Sequence, residues 1–439
     1  MDAPLAAGTR PPELSPDAAI NHFLHTLRRP TRLLIAISGG SDSTGLLVTL
    51  AEVLRESRLP HTLAAATIDH GLRPASAGEA REVSTLCQRL GIPHRILQWT
   101  GEKPETGLSA AARLARYRLL SDAAASMGAD AVVTGHTLDD QIETVAMRAG
   151  RSAGDALGLA GMAPATLYAG HIWILRPFLH TRRNAIRDHL RALLIEWIDD
   201  PSNDDPRYER VRIRQSAPAD DPGMINRAGQ RRATLSAAAA VWLAEHMETR
   251  PGPVAIISLS DGGHIPNDVR DHALATLVAI LGGKPHRPAA SSLNRLSAAL
   301  DQGFDFRLTL SGTLALRRRS QLFLLRERRG LLPLSLAAYR TGIWDGRYAI
   351  VNKSAVEITV MPGPAREIGA DLPGIAREAL AGITPQVTAQ YGFSVPERDL
   401  VTITPRLSLY ADFLPLFDVP LADTIARLLG AEPAPPPLV

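Results

Sequence analysis

Small and hydroxyl-bearing residues are concentrated in one loop, SGGSDS at positions 38–43, between an apolar run at 32–37 and a helix-like pattern at 44–56. A glycine-rich connection from a strand to a helix lets backbone N–H groups approach a phosphate, and the helix N-terminus adds partial positive charge. Gly39 and Gly40 supply the backbone freedom that this approach needs. The other hydrogen-bond donors of the loop are the hydroxyl groups of Ser38, Ser41 and Ser43. The pattern predicts a cradle for a pyrophosphate group.

Asp42 is the unusual member of this loop, because a carboxylate repels phosphate unless a cation such as Mg²⁺ lies between them. The loop therefore predicts a metal-recruiting acid beside the phosphates. The alternative is a simple N-cap, in which Ser or Asp follows a turn. A Walker-type P-loop is excluded, because the one Gly-Lys pair, Gly283-Lys284, precedes Pro285 and not Ser or Thr.

A second polar group follows the apolar run 130–135. His136, Asp140 and Glu143 lie at i, i+4 and i+7, a spacing that places them on one face of a helix. Carboxylates at the N-terminus of this helix could bind a divalent cation or an ammonium group. Alternatively, Asp139 and Asp140 complement the helix dipole.

Two arginines and a short Asp-His pair are further candidates for contact with a nucleotide. Arg113 and Arg116 are one turn apart in the helix-like pattern 107–127, where they could neutralise phosphate charge in a transition state. The alternative for these arginines is a solvent-exposed basic face. Asp69 and His70 follow another apolar run and could touch the nucleotide.

Apolar runs alternate with helix-period segments from residue 31 to about residue 150. The candidate strands are 32–37, 62–69, 94–99 and 130–135. The candidate helices are 44–56, 76–91, 107–127 and 138–150. This alternation predicts an α/β fold with a parallel sheet and crossover helices. Because ligands of such sheets bind at the carboxyl ends of the strands, the motifs around Asp42, Asp69 and His136 are expected to meet at one edge.

The composition is that of an ordinary globular protein: 45% of the 439 residues are hydrophobic and 21% are charged. No signal-peptide pattern and no apolar stretch of membrane-spanning length is found, so a cytoplasmic location without a membrane partner is expected. Cys87 is the one cysteine, which excludes intrachain disulfides and zinc clusters built on cysteines. The net charge is only +3 and does not by itself identify a partner.

The chain is long enough for several domains. A polar stretch at 216–230 is interpreted as a linker, residues 231–300 as mainly helical, and residues 304–326 as strands joined by turns. The α/β domain is therefore expected to be followed by smaller helical and α+β domains. The expected division is an N-terminal extension at 1–30, the α/β domain at 31–215, the linker at 216–230, a helical and hairpin domain at 231–335 and a C-terminal domain at 336–439.

Arginine is unevenly distributed in the second half of the chain. Residues 304–330 contain seven arginines against two acidic residues, among them the run Arg317, Arg318 and Arg319. This excess is typical of a surface that binds nucleic-acid phosphates. An equal alternative is a solvent-exposed hairpin edge whose charged side chains prevent pairing with another strand. Segment 176–214 has nine arginines against seven acids and predicts at most a local clamp, formed by Arg207, Arg210 and Arg214.

SGGSDS resembles the PP-loop of the ATP pyrophosphatases, which cleave ATP between its α- and β-phosphates and transfer adenylate. An ordered set of further motifs within residues 31–214 resembles the tRNA(Ile)-lysidine synthetase family. These motifs are IDHGLRPASAGEA (68–80), ARLARY (112–117), GHTLDDQIET (135–144), GLAGM (158–162), RPFLHTRRNAI (176–186) and DPSNDDPRYERVRIR (200–214).

The resemblance implies a ligase that joins the ε-amine of free lysine to C2 of the wobble cytidine in the CAU anticodon of an isoleucine tRNA. In the implied reaction, cytosine O2 is first adenylated by ATP, with Mg²⁺ present and pyrophosphate released. Lysine then attacks C2, and AMP leaves. The partners are therefore expected to be this tRNA and free lysine, and self-association into a homodimer is left open.

The resemblance also suggests roles for individual residues. The catalytic set is Asp42, Arg113, Arg116, His136, Asp140 and Glu143. The ATP-binding set is Ser38, Gly39, Gly40, Ser41, Asp42, Ser43, Asp69 and His70. Asp42 and Asp140 are the expected metal ligands. Contacts with lysine or tRNA are expected from Arg73, Asp139, Arg207, Arg210, Arg214, Arg317, Arg318 and Arg319.

Two features depart from the family pattern, and two other functions stay open. Val211 stands where the family usually has Asn, and the spacing between Arg151 and Met162 is one residue longer than usual. A PP-loop tRNA thiolase is disfavoured, because one cysteine cannot hold an iron–sulfur cluster or relay sulfur unaided. The open alternatives are a PP-loop ligase acting on a small metabolite and a catalytically inactive nucleotide- or RNA-binding protein.

Overall fold

The computed structural model describes most of the chain, in the ranges 13–71, 76–101, 103–151, 157–199, 207, 209–216, 221–250, 254–259, 265–365, 372–389 and 398–439. The chain divides into two compact units. The first comprises Met1–Arg232, Pro415–Phe417 and Pro435–Val439, and the second comprises Ala233–Leu414 and Asp418–Ala434. No described helix has both the length and the apolar character needed to cross a membrane.

The first unit alternates strands and helices, as expected from the sequence. Its helices are α1 (Pro16–Thr26), α2 (Ser41–Glu56), α3 (Ser76–Arg89), α4 (Leu108–Met127), α5 (Leu138–Arg151), α6 (Arg183–Ala192) and α7 (Glu209–Gln215). Its strands are β1 (Arg32–Ala36), β2 (Thr62–Asp69), β3 (His94–Gln98), β4 (Ala131–Val133), β5 (Ala165–Tyr168) and β6 (Ile172–Leu175). Helix α8 (Pro222–His246) begins in the first unit and ends in the second.

These six strands lie in the order β5-β6-β4-β1-β2-β3. Strands β1, β2, β3, β4 and β6 are parallel, and β5 is antiparallel to β6. Strand β4 is buried throughout and β1 nearly so, as is usual for parallel strands covered by helices on both faces. The predicted α/β fold is confirmed, and this order places the carboxyl ends of β4, β1 and β2 side by side.

Helices α2 and α6 approach each other closely beside this edge. A Cβ on Gly45 of α2 would collide with Cγ2 of Ile186 in α6, so this contact requires glycine. Ile186 is itself completely buried. The close packing brings the N-terminus of α6 to the loop that precedes α2.

The predicted linker at 216–230 is wrong from residue 222 onward, because residues 222–230 form the first part of α8. Pro222 suits the first turn of a helix, where its missing N–H is not needed. Ile225 packs with Leu138 and Ile142 of α5 in one buried cluster. The stretch therefore supports the helix that carries the acidic motif, although its polar composition is typical of a loop.

The second unit is built from helices and antiparallel strands. Its other helices are α9 (Asn267–Leu281), α10 (Ala290–Asp301), α11 (Gly374–Leu380) and α12 (Val419–Leu429). The remaining strands are β7 (Met247–Arg250), β8 (Val254–Ser258), β9 (Phe306–Leu310), β10 (Thr313–Arg318), β11 (Gln321–Arg326), β12 (Leu334–Leu336), β13 (Thr341–Trp344), β14 (Tyr348–Asn352), β15 (Ile358–Gly363), β16 (Thr384–Ala389), β17 (Val401–Pro405) and β18 (Phe413–Pro415).

Three antiparallel sheets occur in the second unit, with the orders β7-β8-β11-β10-β9, β12-β15-β16 and β13-β14-β17. The strands expected between 304 and 326 are present as β9, β10 and β11. Ser311 and Gly312 form the first turn with φ of 47° and 76°, the left-handed pair typical of a two-residue hairpin. The described part of the segment 231–300 is mainly helical, as expected, but it also contains the strands β7 and β8. The division at residue 335 stays a prediction.

Candidate active site

The loop between β1 and α2 is held by contacts with Ser43, which belongs to the loop, and with Ile198, which lies elsewhere in the chain. Ser43 Oγ accepts a hydrogen bond from Ser38 N and donates one to Gly40 O, both at 3.1 Å. Gly39 has a φ of +87°, and a Cβ there would approach Ile198 Cδ1 to 2.6 Å. Ile198 N also donates to Gly39 O at 2.9 Å. These contacts within the protein fix the loop conformation.

Helix α2 begins at Ser41, and its N-cap is Gly40, which offers no side-chain cap. The simple N-cap alternative for this motif is therefore wrong, because the cap position holds glycine and the serines act elsewhere. Backbone N–H groups in the first turn of such a helix, together with its dipole, favour an anion.

Gly135, at the end of β4, brings a second loop against this one. A Cβ on Gly135 would lie 2.7 Å from Asp42 O and 3.1 Å from Ser43 N. Backbone atoms cannot move aside as a flexible side chain can, so this approach requires glycine. The close contact places the acidic helix α5 directly beside the loop.

Arg183, the first residue of α6, lies among carboxylates from two other helices. Its Nε donates to Asp42 Oδ2 at 2.9 Å, and its Nη2 donates to Asp140 Oδ1 at 3.3 Å. Its Nη1 is 3.9 Å from Glu143 Oε1. The backbone N of Arg183 donates to Asp139 Oδ2 at 2.8 Å. One arginine thus joins the N-terminal turns of α2, α5 and α6.

Helix α7 adds two more guanidinium groups on the other side of Glu143. Arg214 Nε donates to Glu143 Oε1 at 2.8 Å, and Arg210 Nε is 3.2 Å from Glu143 Oε2. Arg210 Nη2 is also 3.7 Å from Asp140 Oδ1. The formal charges of these six side chains cancel. We call this set the acid–arginine cluster: Asp42, Asp140, Glu143, Arg183, Arg210 and Arg214.

The two facing aspartates of the cluster differ in their electrostatics. Burial raises the pKa of Asp42, Arg183 opposes this effect, and repulsion from Asp140 adds to it. Burial alone would also raise the pKa of Asp140, but the charges of Arg183 and Arg210 and the hydrogen bond from Thr137 N lower it. Asp140 is therefore a stable anion, whereas the negative charge on Asp42 is incompletely compensated.

His136 follows Gly135 and faces the same edge of the sheet. Its Nδ1 lies 2.8 Å from Thr134 Oγ1. Burial lowers the pKa of His136 well below its usual value, and the charge of Arg176 adds to this effect, while Asp140 opposes it. The imidazole is therefore neutral at neutral pH, because its charged form is disfavoured by burial.

Asp69 and His70 lie at the end of β2, the strand next to β1. Asp69 Oδ1 accepts hydrogen bonds from Gly71 N at 2.9 Å and Ser76 Oγ at 2.7 Å, contacts that also lower its pKa. Asp69 thus fixes the turn after β2. Burial and the nearby charge of Arg116 lower the pKa of His70, so His70 is a neutral group.

The arginines predicted on α4 differ in exposure. Arg113 is exposed, whereas Arg116 is half-buried and its pKa is lowered by burial. Arg207, from the predicted clamp, is exposed. Arg73 lies outside the described residues.

The arginine run at the β10–β11 turn is less open than the sequence suggested. Arg317 Nη1 donates to Leu300 O at 2.7 Å, and Arg318 Nη1 is 3.6 Å from Asp305 Oδ2. Both side chains are half-buried. Arg319 is exposed, and its backbone N donates to Asp305 Oδ1 at 2.7 Å. Of these three residues, Arg319 is the one that offers its guanidinium group to solvent.

Two residues near the loop were missed by the sequence analysis. Arg183 lies within the quoted motif RPFLHTRRNAI, but a contact across 141 positions with Asp42 cannot be inferred from spacing. Trp197 was also missed, although Arg187 and Arg191 are one turn apart and lie 5.8 Å and 5.5 Å from the centroid of its indole ring.

Comparison with known proteins places this geometry in a family. Residues 13–218 match the family model described as a PP-loop domain. A curated tRNA(Ile)-lysidine synthase from Rhizobium meliloti (strain 1021) is 41% identical over 96% of this chain and 96% of its own. One from Mesorhizobium japonicum is 39% identical over 96% of this chain and 97% of its own. The chain belongs to the tRNA(Ile)-lysidine synthase family.

Membership of the tRNA(Ile)-lysidine synthase family confirms the resemblance seen in the motifs and the interpretation of SGGSDS as a PP-loop. The chain is accordingly an ATP-using ligase of the PP-loop family. Among solved structures, the U34-tRNA thiolase NcsA from Methanococcus maripaludis aligns with 49% of this chain and 78% of its own, at 16% identity and a TM-score of 0.41.

Proposed function

We propose that the chain uses ATP to join the ε-amine of lysine to C2 of the wobble cytidine in a CAU-anticodon isoleucine tRNA. The supporting observation is the close contact at Gly135, which places the PP-loop beside the acid–arginine cluster. In addition, relatives that match nearly the full length of the chain are named tRNA(Ile)-lysidine synthase. Those relatives also disfavour the two alternatives, a ligase for a small metabolite and an inactive binding protein.

The PP-loop is proposed to hold the β- and γ-phosphates of ATP. The first N–H groups of α2 would donate to the phosphate oxygens, and the helix dipole would favour their charge. Arg187 Nε donates to Ser41 Oγ at 3.3 Å at this helix N-terminus. Arg183 Nε donates to the neighbouring Asp42 Oδ2 at 2.9 Å. It would exchange part of its pairing with carboxylates for pairing with phosphates, which keeps the leaving pyrophosphate neutralised.

Asp42 and Asp140 fit a Mg²⁺ ion. Carboxylate oxygens are the protein ligands that Mg²⁺ prefers, and a bound cation would relieve the repulsion from Asp140 that contributes to raising the pKa of Asp42. Arg183, which pairs with both carboxylates, would have to give up part of that pairing. When bound, Mg²⁺ supplies neutralisation of the phosphate charge. The protein's own contribution is to keep Asp42 in the turn after the loop and Asp140 at the start of α5.

The first chemical step is adenylation of the cytidine. Cytosine O2 attacks the α-phosphorus of ATP, the O–P bond forms, and the bond to the bridging oxygen breaks to release pyrophosphate. Arg116 and the exposed Arg113 on α4 are proposed to stabilise the charge that develops on the α-phosphate. No protein nucleophile is needed, because the adenylate group itself makes O2 a good leaving group.

In the second step the lysine amine attacks C2, the C2–O bond breaks, and AMP leaves with that oxygen. Asp140 and Glu143 are proposed to hold the lysine ammonium group before it loses its proton. Neutral His136 is proposed to accept a hydrogen bond from the amine and orient it, while the proton passes to solvent, because burial disfavours the charged imidazolium.

The tRNA body is proposed to bind through its phosphates to exposed arginines of the second unit, including Arg307 and Arg319. Binding of this kind weakens as salt concentration rises, because each contact releases counterions. Homodimer formation stays a prediction that sedimentation at micromolar concentration would test.

The function is tested by mixing the chain with ATP, Mg²⁺, radiolabelled lysine and an unmodified CAU-anticodon tRNA. We expect lysine to be retained on the tRNA, and only when ATP is present. A tRNA in which the wobble cytidine is replaced by uridine is the matched control and should retain none. Retention on both tRNAs, or on neither, would contradict the proposal.

A further inference from the structure

A cavity of about 570 Å³ lies within the second unit, beside the ends of α9 and α12 and the end of β17. This volume is in the range of about 300–1,000 Å³ that small-molecule sites occupy. Its walls are mostly apolar, with Leu407 and Leu429 among them, and the Tyr348 side chain contributes an aromatic surface. The shape and lining suit a molecule with one flat or apolar part.

Three arginines line this cavity: Arg347, Arg406 and Arg427. Arg427 is exposed, Arg406 is half-buried, and Arg347 is buried. No acidic side chain is among the described residues that line the cavity. Asp412 is the acid whose charge acts on Arg406, where burial lowers the pKa of the guanidinium group. The cavity therefore has a strong positive bias.

Arg347, one of the arginines that line the cavity, belongs to a buried group of ion pairs with an unbalanced charge. Asp345 Oδ1 pairs with Arg326 Nη2 at 2.9 Å, and Asp345 Oδ2 pairs with Arg347 Nε at 2.6 Å. We call Arg326, Asp345 and Arg347 the arginine triad; its formal charge is +1, and its side chains are between 5% and 9% exposed.

One donor of the triad has no partner. Arg347 Nη2 donates to Ile383 O at 2.7 Å, but the buried Nη1 has no hydrogen-bond partner among the described residues. An unbalanced buried charge costs stability, and an anion bound in the adjoining cavity lowers that cost.

The helix ends beside the cavity do not cancel this bias. Helix C-termini carry partial negative charge, which would disfavour an anion. However, Ser408 Oγ donates to Ala279 O at 3.3 Å and to Ile280 O at 3.4 Å, and Lys284 N donates to Ala279 O at 2.9 Å. In α12, Ala431 N donates to a carbonyl oxygen of the last turn at 2.9 Å. These carbonyl groups are already satisfied within the protein.

We propose that this cavity is a binding site for a nucleoside monophosphate, with the phosphate on the guanidinium groups of Arg406 and Arg427, near the buried charge of Arg347, and the nucleoside against the apolar wall. The ligand is either a free mononucleotide or one nucleotide of an RNA chain, since both present the same chemistry. The site lies in the second unit, so the inference does not depend on the function proposed for the PP-loop.

Hydrogen–deuterium exchange of the full chain tests the site with cytidine 5′-monophosphate as the probe. We expect slower exchange in peptides that cover 405–407 and 427–431. Arg427→Gln should weaken binding of the probe about tenfold, because it removes one charged hydrogen-bond donor to the phosphate. Arg427 is exposed in the last turn of α12, so the variant is expected to fold.

Matched controls separate this site from other surfaces. Arg295→Gln makes the same charge change at an exposed position of α10 away from the cavity lining and should bind the probe like the unmodified chain. Asp42→Asn disables the proposed ATP site and should also leave the protection of 427–431 intact.

Protection by cytidine monophosphate indicates a free nucleotide, and protection only by a single-stranded RNA tetranucleotide indicates an RNA ligand. Absence of protection with both probes, or equal binding by the Arg427 and Arg295 variants, would overturn the proposal.

Discussion

The acid–arginine cluster of the first unit and the arginine triad of the second are both built from guanidinium–carboxylate pairs, but their charges are balanced differently. The first pairs three arginines with three acids, while the second pairs two arginines with one aspartate. When charged substrates enter a balanced cluster, its arginines and acids can change partners without leaving any charge unpaired. An unbalanced one stays positive until an anion is added. The net charge that remains after the ion pairs are formed is therefore a better guide to the function of such a cluster than the presence of the pairs.

The largest effect is expected from Asp42→Asn, which removes one acid from the balanced cluster. Lysine incorporation should fall by at least about 100-fold, the usual scale for losing a charge-stabilising group. Because the pKa of Asp42 is raised, its ionised form costs stability above that pKa, so the neutral variant should melt at an unchanged or higher temperature at pH 7. A variant that is inactive because it is unfolded would instead melt early.

Arg183→Met should remove the guanidinium group that joins the three helices. We expect activity to fall by about 10- to 100-fold. The carboxylates left behind repel each other, so their pKa values rise and the variant loses more stability at pH 8 than at pH 5. Arg326→Met in the triad leaves a neutral Asp345–Arg347 pair and should show no such pH dependence. Equal pH dependence in both variants, measured by thermal melting, would remove the distinction between the clusters.

Gly135→Ala tests whether the contact between the two loops matters. The added Cβ would lie 2.7 Å from Asp42 O, so the loops must separate, and activity should fall about tenfold as the catalytic groups shift. Gly150→Ala in α5 is the matched control, since a Cβ there meets nothing within 4 Å and alanine favours a helix. If both variants were equally active, the close approach would be without catalytic consequence.

The smallest effect is expected from Arg319→Gln at the exposed turn of the second unit. The affinity for tRNA should fall a few-fold, and the slope of log affinity against log salt should become shallower by about one unit. Binding titrations at several salt concentrations measure this slope. Arg317→Gln is a poor substitute, because Arg317 donates to Leu300 O and its loss affects folding. An unchanged slope would place the tRNA elsewhere.

Local patterns predicted much of the first unit. β1 to β4 and α2 to α5 were predicted because each is a single apolar or amphipathic run with glycine or polar residues at its end. β8 was missed, although VAIIS at 254–258 is an apolar run of strand length preceded by Pro and Gly. The helix at 222–230 was missed because Met224 and Ile225, which pack against α5, are surrounded by polar and glycine residues typical of a loop.

Long-range charge pairing could not be predicted. The spacing of Asp140 and Glu143 predicted one helix face, but not that Arg183, Arg210 and Arg214 neutralise it. Those contacts depend on how α5, α6 and α7 pack. The sequence alone did not show which arginines of segment 176–214 would pair with Asp140 and Glu143. The same applies to the triad, because no motif in the sequence distinguishes Arg326 or Arg347 from the other arginines.

The central claim is that the oxygen on C2 of the cytidine is transferred to AMP through an adenylated intermediate held at the PP-loop. Labelling that oxygen with ¹⁸O in the tRNA and analysing the products by mass spectrometry tests it directly. The account predicts that each lysine incorporated releases one AMP that carries ¹⁸O, together with unlabelled pyrophosphate. Unlabelled AMP, or release of ADP instead, would contradict it.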